Sequence, residues 1–160
     1  MRTSLITLAL SFTLGCGGKS STDDPLTGDW TSTVCYGQAG LPDNVKSCET
    51  KLTFTSDLNF SLVYVEHSPP ASAVMAHCDT THRVTGQKWS ENIKNNQQTL
   101  TITGAGVAKV TVDNCVNGPD NKGEKDDPDV AVLPGDMAYA INGKALNVSS
   151  GSLTGAYTGN

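Results

Sequence analysis

Five cysteines are the residues of this chain whose chemistry the sequence constrains most. If one of them carries a lipid, four remain, and an even number in an oxidising compartment predicts disulfides. Three connectivities are open to four cysteines. We favour Cys35–Cys48, which closes a loop rich in turn residues, and Cys78–Cys115, which joins a middle strand to a later one.

The three histidines supply the alternative chemistry, a zinc site that combines cysteines with His77 and His82. No C-x-x-C spacing supports it, and residues five apart on an extended strand point to opposite faces. His67 follows Glu66 directly, so on a strand those two side chains diverge as well. The chain has no G-x-S-x-G elbow, phosphate loop or dinucleotide fingerprint. We therefore expect no catalytic residues, no metal and no cofactor.

The most acidic stretch covers residues 113–129 and contains six carboxylates. Calcium prefers six to eight oxygen ligands, but Lys122 stands where an EF-hand loop would place an oxygen. We expect a solvated surface loop over residues 116–136, which is also the expected contact with a protein partner, because long loops in compact domains are often functional. The sequence leaves calcium binding by residues 113–129 open.

Composition excludes several classes of protein. The chain has 160 residues and a formal net charge of −5, which argues against a nucleic-acid-binding face. Hydrophobic residues make up 37%, and no run of 18 apolar residues is present, so no transmembrane helix is expected. The length suits one domain with a real core.

The first residues are typical of an export signal. Arg2 supplies a positive start, residues 5–14 form an apolar run too short to span a bilayer, and Gly15 precedes Cys16. This arrangement resembles the cleavage site of bacterial lipoproteins, which implies a lipid on Cys16 and an anchor in a membrane. The absence of Asp after the cysteine implies the outer membrane, with the domain facing the periplasm or the cell surface. The alternative is an ordinary secretory signal with Cys16 as a spare thiol.

Three parts of the chain follow from this interpretation. Residues 1–15 are the signal peptide, and residues 16–25 are the lipidated cysteine with a polar, flexible tether. Residues 26–160 are the folded domain. Its hydrophobic residues alternate with polar ones, as in residues 48–55 and 59–67, which predicts a β-hairpin. Asn142-Gly143 predicts a second hairpin, and no segment has a convincing helical period. We also expect a strand that carries Trp30 and Val34 on one face.

Eight or nine short strands with frequent turns predict an all-β fold: an antiparallel up-and-down barrel of about eight strands, with a β-sandwich as the alternative. Leu26-Thr27-Gly28-Asp29-Trp30 resembles the Gly-x-Trp start of bacterial lipocalin-like, or calycin-type, domains. Leu52-Thr53-Phe54-Thr55 and Tyr139-Ala140-Ile141-Asn142 continue that resemblance, which covers most of the chain from residue 26. It implies a β-barrel with Trp30 at one end of the core.

The resemblance and the small side chains at many pattern positions imply a non-catalytic domain that binds a small apolar or amphipathic ligand. Eight-stranded barrels either fill their interior or hold one small ligand. Together with Leu52, the expected ligand-contacting positions are Phe54, Phe60, Leu62, Tyr64, Val110 and Val112. The alternative function is a protein-interaction module of the cell envelope, with a filled barrel and no ligand.

Overall fold

The computed structural model describes residues 24–36, 45–68, 77–116, 121–128, 130, 132 and 134–159. Cys16, the expected signal peptide and most of the expected tether lie outside these residues. Strands are the only regular secondary structure of the described residues, which hold no helix long and apolar enough to cross a membrane. The ten strands are β1 Gly28–Ser32, β2 Ser47–Phe54, β3 Asn59–His67, β4 His77–Lys94, β5 Gln97–Thr103, β6 Val107–Val116, β7 Asn121–Asp126, β8 Gly135–Asn142, β9 Ala145–Val148 and β10 Gly155–Gly159.

Eight of these strands close into a ring. The order runs β1-β2-β3-β4-β5-β8-β9-β10, and β10 returns to β1, with every pairing antiparallel. The remaining strands, β6 and β7, extend from the free edge of the first half of β4. The predicted antiparallel barrel of about eight strands is therefore confirmed, rather than the sandwich. The two extra strands interrupt the up-and-down order between β5 and β8.

Strand β4 belongs to both parts of the molecule. Its first half pairs with β3 on one edge and β6 on the other, and residues 88–94 pair with β5. The residue pattern alone predicts two strands here, over residues 77–87 and 88–94. Gly86 adopts a φ of +82°, and the register against β3 shifts between Phe60 and Leu62, so the chain bends without ending the strand.

Alternation along β2 and β3 builds one wall of the core. Leu52 lies opposite Leu62, and Phe54 lies opposite Phe60, as the predicted hairpin requires. All four side chains are at most 1% exposed. Burying each contributes roughly 1.5–3 kcal/mol relative to leaving it in water. Trp30 belongs to the same cluster, and its indole nitrogen donates to the Leu26 carbonyl at 2.9 Å.

The buried side-chain amide of Gln87 bonds the segment that follows β7 to this core. Gln87 is fully buried, and its Nε2 donates to the carbonyls of Gly104 at 2.9 Å and Val132 at 2.8 Å. Val132 itself is 1% exposed. The amide therefore links β4, the turn after β5 and the segment before β8, which helps to close this side of the barrel.

The expectation for Val34 is wrong. Strand β1 ends at Ser32, and Val34 is 54% exposed instead of sharing the inner face with Trp30. The Ser32 hydroxyl accepts a hydrogen bond from the Val34 amide at 3.2 Å, which turns the chain out of the strand.

Candidate functional site

The predicted ligand-contacting side chains on β2 and β3 lie in the packed core. Phe54, Phe60, Leu62 and Tyr64 are at most 2% exposed. The Phe54 ring lies 5.2 Å from that of Phe60 and 5.5 Å, edge to face, from that of Trp89. These distances are those of rings in contact. Whether any of the four side chains contacts a ligand stays a prediction.

Val110 and Val112 occupy a different place from the one expected. Both lie on β6, which is outside the eight-stranded ring, and both are half-buried. The prediction that they line the barrel interior is therefore wrong. The sequence could not reveal this, because a strand outside the ring has the same alternating pattern as a strand within it.

A polar cluster lies where β6 and β7 leave the barrel. The Tyr64 hydroxyl donates to Glu66 Oε1 at 2.8 Å, and the Tyr64 ring stacks on His82 at 5.4 Å. His82 Nδ1 lies 2.5 Å from a carboxylate oxygen of Asp127. Burial, and then the hydrogen bond to the Glu66 carboxylate, raise the pKa of Tyr64 well above its ordinary value. The cluster thus holds four polar side chains at the edge of the core.

The side chain of His82 is 13% exposed, and that of Asp127 is 4% exposed. A carboxylate that fixes an imidazole is found in nucleophilic enzymes, where a third group carries the nucleophile. Within the described residues, no serine, threonine or cysteine side chain bonds His82. In this structure the pair links the residue after β7 to β4.

His67 lies in a second, more exposed network. Its Nδ1 is 3.0 Å from Asp79, and its Nε2 is 3.7 Å from Glu49. Asn114 completes the network by donating to the other carboxylate oxygen of Asp79 at 2.9 Å. Across the described residues, no group of three or more His, Cys, Asp or Glu is placed to hold a metal ion.

Both predicted disulfides are confirmed. Cys35 bonds Cys48, and Cys78 bonds Cys115, with Cα atoms 5.1 and 4.1 Å apart. The first disulfide holds the chain after β1 against the start of β2, and the second joins β4 to β6. Cys16, the predicted site of lipid attachment, lies outside the described residues.

The predicted acidic loop of residues 116–136 contains a strand. Its middle forms β7, which pairs with β6, and Asp127 after it is buried against His82. Asp136 lies on β8 and bonds Lys94 and Thr101. Strand β7 has the sequence Asn-Lys-Gly-Glu-Lys-Asp, with no apolar residue. Backbone pairing rather than burial forms it, so hydrophobic periodicity gives no sign of it.

A surface groove of 610 Å³ was not anticipated. It lies outside the barrel wall between the ends of β1 and β10, and its lining is Thr31, Ser32, Thr33, Val34, Glu49, Ala156 and Thr158. Four hydroxyls, one carboxylate and two small apolar side chains therefore face the same space. A smaller depression of 160 Å³ lies beside Gly28 and Lys144.

Comparison with known proteins identifies no relative. The chain matches no protein-family model, no curated protein and no solved structure. The barrel, the disulfides and the groove are therefore the observations on which a function can be argued.

One local feature of the sequence corresponds to the groove: the run Thr31-Ser32-Thr33, directly before Val34 and Cys35. Hydroxyl side chains that end a strand favour a local turn, and a cysteine two residues later fixes where the chain goes. No local feature of the sequence predicts the His82–Asp127 pair, because 45 residues separate its members.

Proposed function

We propose that this chain is a lipid-anchored protein of the cell envelope, whose barrel is a non-catalytic module for binding another protein. Side chains, rather than a carried ligand, fill the barrel in this proposal. The outer membrane is the proposed location, with the domain facing the periplasm or the cell surface. Cys16 is the proposed point of attachment.

One observation carries the choice between the two functions that the sequence left open. Five of the side chains expected to border a cavity belong to one continuous core cluster: Leu52, Phe54, Phe60, Leu62 and Tyr64. An eight-stranded barrel is narrow enough for side chains to fill it. Small proteins of the envelope whose interior is filled have only their surface with which to recognise a partner.

The exposed surface adds support for a protein partner. Residues 122–126 of β7 are exposed at the free edge of the sheet, and the groove beside β10 opens to solvent. The expected contact through residues 116–136 stays a prediction, now confined to its exposed strand.

A titration with a dansyl-labelled fatty acid separates the proposal from the ligand-carrier hypothesis. We expect no saturable rise in fluorescence when the full chain is titrated at micromolar concentrations. Saturable binding that oleate displaces would overturn the filled-barrel proposal and favour a carrier that binds an apolar or amphipathic molecule.

The anchor has its own test. Cys16→Ser is expected to move the exported protein from the membrane fraction to the soluble fraction of the envelope, because the acyl chains provide the attachment. Cys16→Ser protein that stays in the membrane fraction would contradict lipid attachment at this residue.

A further inference from the structure

The groove lies where a strand pairing stops early. Strands β1 and β10 pair at Trp30 with Gly159 and at Thr31 with Thr158, and no further. If the same register continued, residues 32–34 would pair with residues 155–157. These two segments separate instead, and several of their residues line the groove.

Three constraints hold the first segment away from β10. The Ser32 hydroxyl accepts from the Val34 amide at 3.2 Å, and the Thr50 hydroxyl donates to the Val34 carbonyl at 3.0 Å. The disulfide from Cys35 to Cys48 then ties the chain to the start of β2. The segment that forms one wall of the groove is therefore held against β2, while β10, which forms the other wall, pairs with β9.

The wall formed by β10 presents a strand edge. Residues 155–157 pair with β9 on one side, and on the other side they have no strand partner among the described residues. A strand edge that borders a groove is suited to an extended peptide that adds a strand through main-chain hydrogen bonds. The volume of 610 Å³ lies in the range of functional binding sites, roughly 300–1,000 Å³.

The lining indicates the chemistry of the peptide. Its charged member is Glu49, whose side chain is 72% exposed and whose ion-pair neighbour is His67 at 3.7 Å. The other lining side chains are hydroxyls, Val34 and Ala156, which suit small uncharged residues. No lining residue is aromatic, so a sugar ring would find no stacking surface.

We propose that this groove binds an extended segment of a partner protein, added as a strand beside β10, with a lysine or arginine side chain against Glu49. The proposal rests on the proposed function, since it names where a protein partner binds. It places this contact at the hydroxyl-lined groove beside β10, and not on the acidic strand β7.

Amide chemical shifts of the ¹⁵N-labelled full chain in detergent test it, with a synthetic hexapeptide of alternating threonine and valine and one lysine as the probe. We expect saturable shifts at residues 32–34 and 155–157. The same peptide methylated on alternate backbone nitrogens should cause none, because it cannot form the ladder. Replacing its lysine by glutamate should weaken binding about two- to five-fold, as for an exposed ion pair.

Two variants make the test specific. Glu49→Lys should reverse the preference between the lysine and glutamate peptides, whereas Glu124→Lys, on β7, should leave it unchanged. The pair of changes Cys35→Ala and Cys48→Ala should weaken binding at least ten-fold by releasing one wall. If that double variant does not fold, Glu49→Lys still decides.

Several results would overturn the proposal. These are shifts confined to other residues, no saturable shifts, equal binding of the methylated peptide, or shifts of these amides by a chito-oligosaccharide and not by the peptide. The fatty-acid titration reports on the barrel interior separately. Fatty-acid binding together with peptide shifts at the groove would reject the filled barrel and keep the groove.

Discussion

Phe60→Ala tests whether side chains fill the barrel beside the turn between β2 and β3. Phe60 is 1% exposed, and its ring packs 5.2 Å from that of Phe54. Phenylalanine-to-alanine changes in packed cores cost about 3–5 kcal/mol, which includes the lost burial and the cavity that remains. For a domain of this size, that corresponds to a fall of roughly 6–20 °C in Tm, at about 2–4 °C per kcal/mol.

Urea unfolding of the full chain with both disulfides intact measures this loss. Ile93→Ala is the matched control, because Ile93 is also a large apolar side chain on a barrel strand but is 71% exposed. We expect the control to change the free energy of unfolding by less than about 0.5 kcal/mol. A Phe60→Ala loss below roughly 1.5 kcal/mol would refute the reasoning, because it would mean that Phe60 already borders empty space.

Three further predictions follow from the contacts around the core. Burial, and then the charge of Tyr36, raise the pKa of Tyr157 to about 12; the stability from neutral Tyr157 is therefore full below pH ~10 and is lost as pH rises towards 12. Tyr157→Phe should lose less stability across that window in urea unfolding, and identical pH profiles would contradict this. Replacing both Cys78 and Cys115 by alanine should lower the free energy of unfolding by roughly 3–4 kcal/mol, and an unchanged urea midpoint would argue against this. Asp127→Ala should cost about 1–3 kcal/mol, by leaving the half-buried His82 without its carboxylate partner, and should speed amide exchange in β7. The exposed Asp126→Ala is the control, and equal effects of the two changes would show that burial of the pair is unimportant.

Much of the barrel follows from the sequence because alternation is a local signal. The pairing of Leu52 with Leu62 is set by a short turn and a shared apolar face, so the hairpin can be predicted from a few residues. The disulfides were predictable for a similar reason, since each closes a loop between segments of clear pattern. Val34 was misplaced because alternation continued past the point where the Ser32 hydroxyl turns the chain.

The parts that escaped prediction depend on contacts between distant residues. Strand β7 forms because β6 offers it a backbone edge, and its polar sequence carries no sign of this. The groove exists because a pairing ends at Thr31, which no local pattern records. Nothing in the sequence around Gln87 marks it as a core residue, yet it is fully buried and its amide donates to two carbonyls. Sites of this kind are set by tertiary geometry, and a sequence supplies only their residues.

The central claim is that side chains fill the barrel and leave the surface to recognise a protein partner. The most direct measurement compares native and denaturing mass spectra of the full chain isolated from its own envelope. We predict the same mass in both, equal to that of the lipid-modified chain with two disulfides. A larger mass in the native spectrum alone would reveal a carried small molecule and would contradict the claim.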